Sequence, residues 1–219
     1  MRAPGRMLRI TPLLMAGSDE RHRMLIERFA PGPDGTRTEH ALIPGRPNAV
    51  YPCVMSADFL RAVSENRLVR ALFALRSLAE RAVAALTQRP FSEPSDVDSL
   101  RLCDLTGEGE WVLLGEDPPH EVAFGVIGRF WAGETVWEMT SADEFAAFAT
   151  PGFAKIVCNF SLRTYGRDHT LVSYEARTEA IGADARRAFL RYWRLVSPFV
   201  GMVMRSQLRV IARDADASG

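Results

Sequence analysis

An arginine inside an apolar strand is the first residue that invites a chemical reading. Arg129 stands among Phe124, Val126, Ile127, Phe130 and Trp131. Its planar fork of N–H donors there can clamp a ligand carboxylate at two points. The competing reading is a solvated strand face or a structural ion pair. Asn159, Glu175 and Arg177 are the other polar residues in otherwise apolar strands. Alternate strand residues share a face, so Glu175 and Arg177 point the same way. On an inward face they would join Arg129 in a charged cluster that must pair internally to be tolerated. On an outward face they are ordinary strand ion pairs, and that face is the favoured one. A single inward carboxylate could serve acid–base work, but without a partner of defined geometry it assigns no catalytic residue.

Trp131, Tyr192, Trp193 and Phe199 are large aromatics whose default place is the core. Trp193 is the best candidate among them for a cavity wall. His22, His40, His120 and His169 have no metal-ligand spacing, there is no paired Cys/His set, and neither a metal nor a cofactor is expected. Phosphate-loop, nucleophile-elbow and dinucleotide fingerprints are absent, and Lys155 is the only lysine for any chemistry that needs one. Cys53, Cys103 and Cys158 are far apart and odd in number, which argues for reduced thiols and a cytoplasmic location.

The elements that must position these residues follow from the hydrophobic pattern. Residues 1–37 read as an N-terminal extension with turn chemistry at Ala30-Pro31-Gly32-Pro33, and Met24–Phe29 within it as a short strand or helix. Arg2, Arg6 and Arg9 before a short apolar stretch imitate a signal peptide, but Pro12 and the charges at Asp19–Arg21 favour a segment that is not cleaved. Thr38–Ile43 predicts a strand and Ala49–Val63 a helix after Pro47. Leu68, Leu72, Leu75, Ala79, Val83 and Leu86 recur at helical steps after an Asn66 cap. Beyond a Pro/Ser/Asp-rich loop at 87–99, strands are expected at 110–115, 121–131, 134–139, 153–165 and 170–181. Ser141–Glu144 signals a short helix between them. Gly182 and Asp184 open a long final helix carrying Phe189, Trp193, Val196, Val200, Val203, Gln207 and Ile211 on one face, with Pro198 inside it.

Strands in a run followed by one long helix mean an α+β fold: a curved antiparallel sheet wrapped around the C-terminal helix. A gap between them would be a ligand pocket. Lys+Arg and Asp+Glu are both 27, so no global field favours nucleic acid, and no apolar run approaches the ~20 residues of a membrane span. A homodimer is compatible with the chain but nothing in it demands one.

This order resembles the helix-grip fold of the START-like (SRPBCC) superfamily. The resemblance is carried by Glu39-His40-Ala41-Leu42-Ile43-Pro44 with Ala49-Val50-Tyr51, by Leu68–Arg76, by Gly125–Trp131, by Pro151–Lys155 with Asn159-Phe160, and by Tyr192–Phe199. It is similar to uncharacterised bacterial members over residues 38–213, leaving 214–219 as a tail. The resemblance implies a hydrophobic cavity between sheet and helix. Its members bind lipids, sterols, polyketides or plant hormones, and some are polyketide cyclases or co-chaperones. The first expectation is therefore a non-catalytic binder of a small apolar or amphipathic ligand, touching Arg129, Trp131, Asn159, Glu175, Arg177 and Trp193. A cyclase or dehydratase, and a co-chaperone-like interaction module, are the alternatives.

Overall fold

The computed structural model describes residues 24–61, 101–105, 108–131 and 136–218. The helix expected from the Leu68–Leu86 periodicity lies outside these residues. In chain order the described elements are α1 (Leu25–Phe29), β1 (Gly35–Pro44), α2 (Pro47–Ser56), a 3-10 turn (Leu102–Asp104), β2 (Glu108–Gly109), β3 (Trp111–Asp117), β4 (Glu121–Arg129), β5 (Val136–Glu138), β6 (Thr140–Ser141), α3 (Ala142–Ala147), β7 (Ala154–Tyr165), β8 (His169–Ala180) and α4 (Ala183–Ser218).

The main sheet has the order β1-β8-β7-β4-β3, with β5 on β4 beyond the end of β3, and every pairing is antiparallel. It is a curved open sheet with the long helix α4 packed on it. β2 and β6 form a separate two-stranded ladder that the hydrophobic pattern does not announce. Two residues per strand are too few to show a period.

At β4 both faces of the sheet are covered, and that explains the texture of this strand. A strand with only one buried face alternates apolar and polar residues. Glu121–Gly128 is instead buried throughout, as expected where each side packs against something. On the helix face, Val122, Phe124, Cys158, Phe160, Leu162, Val172 and Tyr174 meet α2 and the Met204, Leu208 and Ile211 side of α4. On the outer face, Val112, Leu114, Ala123, Ile127 and Val157 meet Ile26 and Phe29 of α1 and Phe145 of α3. Gly125 is needed there: a Cβ would lie 2.8 Å from the Phe145 ring.

The short helix signal at Ser141 is realised as a capping box, with the Ser141 hydroxyl accepting from Glu144 N–H and the Glu144 carboxylate accepting from Ser141 N–H. Residues 24–37, assigned from sequence to an extension, are built into the body: Ile26 is fully buried and β1 begins at Gly35. α4 likewise runs on through residues 214–218, and Arg61 pairs with Asp214 at 3.6 Å. It opens after Gly182, whose φ of +95° suits glycine, and it continues through Pro198.

Candidate functional site

The helix face has a floor of mostly small residues at one end. Gly35 pairs with Thr178, Thr178 with Ile156, Gly128 with Ala154 and Ala154 with Ala180. Directly opposed residues in an antiparallel ladder share a face. The floor therefore lies low, and large rings can settle on it. α4 supplies Phe189, Tyr192 and Trp193 at helical spacings of three and four, which brings them to one side. The chain leaving β4 supplies Phe130 and Trp131, and β5 supplies Trp137, the cross-strand partner of Gly128.

These six rings form one shell. Phe130 lies 5.1 Å from Trp131, 6.0 Å from Trp137, 6.2 Å from Phe189 and 5.6 Å from Tyr192, centroid to centroid. Phe189 also meets Trp131 at 6.2 Å and Trp193 at 5.7 Å. Most of these contacts are edge-on, the arrangement favoured by ring quadrupoles. Phe189 is fully buried, whereas the other five rings are only half-buried. Gly35 lets Phe189 and Trp193 lie on the strand: a Cβ there would come within 2.9 Å of the Phe189 ring and 3.0 Å of Trp193.

Two residues further along the same face of β1 stands a charged group. α4 crosses β1 at Gly201, where a Cβ would meet the Arg37 guanidinium at 2.5 Å and Glu39 Oε1 at 2.6 Å. Glu39 Oε1 accepts from Arg37 Nε at 2.8 Å, from Arg37 Nη2, and from Arg205 Nη1 of α4 at 2.7 Å. Burial pushes the Glu39 carboxyl upward, but the hydrogen bonds and charges of Arg37 and Arg205 outweigh it and hold the group below the usual carboxylate range. Deeper on the helix face, burial pushes the Cys158 thiol up to about 12, against a hydrogen bond with the Tyr174 hydroxyl that pulls it down.

The outer face carries a different polar row. The buried carboxylate of Glu121 accepts from Leu25 N–H at 2.9 Å, Ile26 N–H at 3.4 Å and Asn159 Nδ2 at 2.6 Å. It thus caps the N-terminus of α1, where Met24 offers no side-chain cap. At the other end, Arg177 donates to the Ala30 carbonyl at 3.2 Å while its Nε holds Glu175 Oε1 at 2.7 Å. A negative group at the helix start and a positive one at its end both match the helix dipole. Asn159 is fully buried with Oδ1 unpartnered among the described residues, and Arg129 Nε is buried without a partner there too.

The six residues singled out from sequence therefore do not make one site. Trp131 and Trp193 come together in the aromatic shell. Asn159, Glu175 and Arg177 lie on the opposite face with α1, and strand alternation puts Arg129 on that face as well. These four side chains therefore stand on the face away from α4, which for Glu175 and Arg177 is the outward placement favoured from the sequence. The physical reason is parity: the buried residues Tyr174 and Ala176 take the helix face, so their odd-numbered neighbours take the other. Sequence reasoning missed Phe130, Trp137 and Phe189 as partners of the tryptophans. Gly128 opposite Trp137 is the one signal that pointed there, since a strand glycine is commonly covered by an aromatic neighbour. Arg37, Glu39 and Arg205 carried no signal, because charged residues on an edge strand and on a helix usually face solvent.

Among the described residues no cluster of His, Cys, Asp and Glu could hold a metal ion, and no helix is long and apolar enough to cross a membrane.

No family model matches the chain, and no curated protein matches it. Among solved structures it is similar to a conserved protein of Geobacillus kaustophilus, with a TM-score of 0.40 and 10% identity over 84% of this chain and 97% of that one. A protein of Thermus thermophilus gives a TM-score of 0.34 and 10% identity over 84% and 99% of the two chains. The di-domain ARO/CYC StfQ from the steffimycin biosynthetic pathway gives a TM-score of 0.31 and 11% identity over 83% of this chain and 51% of StfQ. Likenesses this distant carry no statement about activity or ligand.

Proposed function

We propose that the protein binds a small hydrophobic or amphipathic molecule between the sheet and the N-terminal half of α4, with Trp131 and Trp193 as walls. The observation that supports this reading is the aromatic shell on a floor of mostly small residues, with five of its six rings left half-buried. The C-terminal half of α4 is sealed against the sheet by Met204, Leu208 and Ile211, as core packing requires. Its N-terminal half instead presents rigid apolar surface that loses little conformational freedom on binding.

The role is that of a carrier or sensor. An acid–base reaction at this place would need a polar group turned toward the ligand. Glu175, the carboxylate considered for it, faces α1 and is held by Arg177, while Glu39, the carboxylate on the helix face beside the shell, is tied to Arg37 and Arg205. Cys158 and Tyr174 on the helix face are buried and satisfy each other.

Native mass spectrometry of the protein from its own host, followed by denaturing extraction, tests the reading. The expected result is a defined small molecule at near one-to-one stoichiometry, with occupancy reduced in a Trp193→Leu variant. An apo mass combined with tryptophan fluorescence that does not respond to a panel of naphthalene derivatives and medium-chain acyl compounds would overturn it.

A further inference from the structure

We infer that the ligand is an amphipathic anion, with its apolar body on the aromatic shell and its acidic group received by Arg37 and Arg205. The inference rests on the binding role proposed above and names the chemistry of what is bound.

Three observations carry it. The first is position. Gly35 and Arg37 share one face of β1 and are two residues apart, a separation of about 7 Å along a strand. Trp193 lies over Gly35, and Gly201 lies over Arg37. The apolar wall and the guanidinium are therefore adjacent on one surface, at a distance that a small ring acid or a short acyl chain spans.

The second is charge. Two guanidiniums face one carboxylate, so the group carries a surplus positive charge among the described residues. Both arginine side chains are partly exposed, so water carries that surplus in the free protein and leaves it open to a partner of opposite sign. An anion arriving from outside restores the balance.

The third is unused bonding capacity. Arg37 Nε, Arg37 Nη2 and Arg205 Nη1 all converge on the single Oε1 of Glu39. Arg37 Nη1 and the Nε and Nη2 of Arg205 have no partner among the described residues. The side chains of Arg37 and Arg205 are 33% and 41% exposed, so a ligand can reach them. Glu39 then acts as a positioning residue that holds two forks side by side. Paired forks receive a carboxylate or phosphate oxygen pair better than a mobile single charge does. Gly201 contributes by absence, since any side chain there would occupy the space of the Arg37 guanidinium.

The test uses matched probes on the full chain: 2-naphthoate, 2-naphthalenemethanol of nearly the same shape without the charge, and acetate as the charge without the ring. Binding is read from tryptophan fluorescence at neutral pH and low salt. The expected result is that naphthoate binds at least tenfold more tightly than the alcohol and that acetate alone does not saturate. R37Q and R205Q each bring naphthoate toward the affinity of the alcohol and leave the alcohol unchanged. R37K recovers part of the difference, because it restores charge without the fork. Should one arginine variant fail to fold, judged by its far-UV spectrum and melting curve, the other reads the same effect alone. Equal binding of acid and alcohol overturns the inference while leaving the binding role standing. So do variants that weaken both probes equally, which marks the arginines as structural. Failure of both ring probes to bind, with a clean apo mass, overturns the inference together with the binding role.

Discussion

Replacing Glu121 by alanine should loosen α1 from the sheet by an amount that its bonding predicts. The carboxylate is 7% exposed and accepts three hydrogen bonds: Asn159 Nδ2 at 2.6 Å, Leu25 N–H at 2.9 Å and Ile26 N–H at 3.4 Å. The first two are short and charge-assisted, and each is worth about 1.5 kcal/mol at the low end for bonds to charged groups. The third is long and adds little. Because Asn159 is fully buried, its amide is left without an acceptor, and the expected loss is about 3 kcal/mol. For a chain of this size that corresponds to a fall in melting temperature of about 6 to 12 °C. Glu121→Gln keeps an acceptor without the charge and should lose about half as much. Chemical denaturation measures the global term. Hydrogen exchange at the amides of Ile26–Phe29 measures the local one, and it should quicken in the alanine variant more than exchange in β7 or β8 does. A Glu121→Ala protein within about 0.5 kcal/mol of the parent, the usual scatter of an inconsequential surface change, would show that α1 is held by Ile26 and Phe29 alone and that the cap contributes nothing.

Further predictions concern the other packed and ionised groups. Gly125→Ala puts a Cβ 2.8 Å from the Phe145 ring and 2.9 Å from Leu114 Cδ1, both on the outer face, and should cost about 1 to 3 kcal/mol in a denaturant titration. Glu39→Gln should cost about 1 kcal/mol at neutral pH, a modest figure because its arginine partners are a third or more exposed to screening water. Since the folded protein holds Glu39 below the usual carboxylate range, its stabilisation is fully present above that range and is lost as the pH falls through the lowered value. The gap between parent and variant should therefore close below about pH 4, and a gap that persists unchanged into acid would contradict the assignment. Cys103 is exposed while Cys53 and Cys158 are buried, so titration of the native protein with a thiol reagent at mildly alkaline pH should show one fast thiol, rising to three on denaturation. A second fast thiol would mean that the packing around Cys53 or Cys158 opens readily.

Much of the scaffold is legible in the chain because its elements are long enough to show a period. The pairing of β7 with β8, the apolar run of β4, the capping signal at Ser141 and the amphipathic stretch of α4 each span several residues of consistent patterning, and all four appear in place. The short elements were not readable. Two-residue ladders such as β2–β6 carry no period, and α1, with five residues, was ambiguous between strand and helix. Its two ends are bonded by Glu121 and Arg177, which stand 96 residues from Leu25 and 147 residues from Ala30 respectively.

The site divides in the same way. Alternation alone determined that Glu175 and Arg177 share a face, and composition alone determined that Trp131 and Trp193 are large rigid surfaces wherever they lie. Which face of the sheet meets α4 is a matter of register and packing, and it became visible only when β8 was paired on both sides. The same holds for the convergence of Phe130, Trp137 and Phe189 and for the meeting of Arg37, Glu39 and Arg205 at Gly201. Local sequence determines the shape and chemistry of each element, because propensity and periodicity act over a few residues. The contact of Glu39 on β1 with Arg205, 166 residues later on α4, depends on how whole elements cross, and only the tertiary structure decides that.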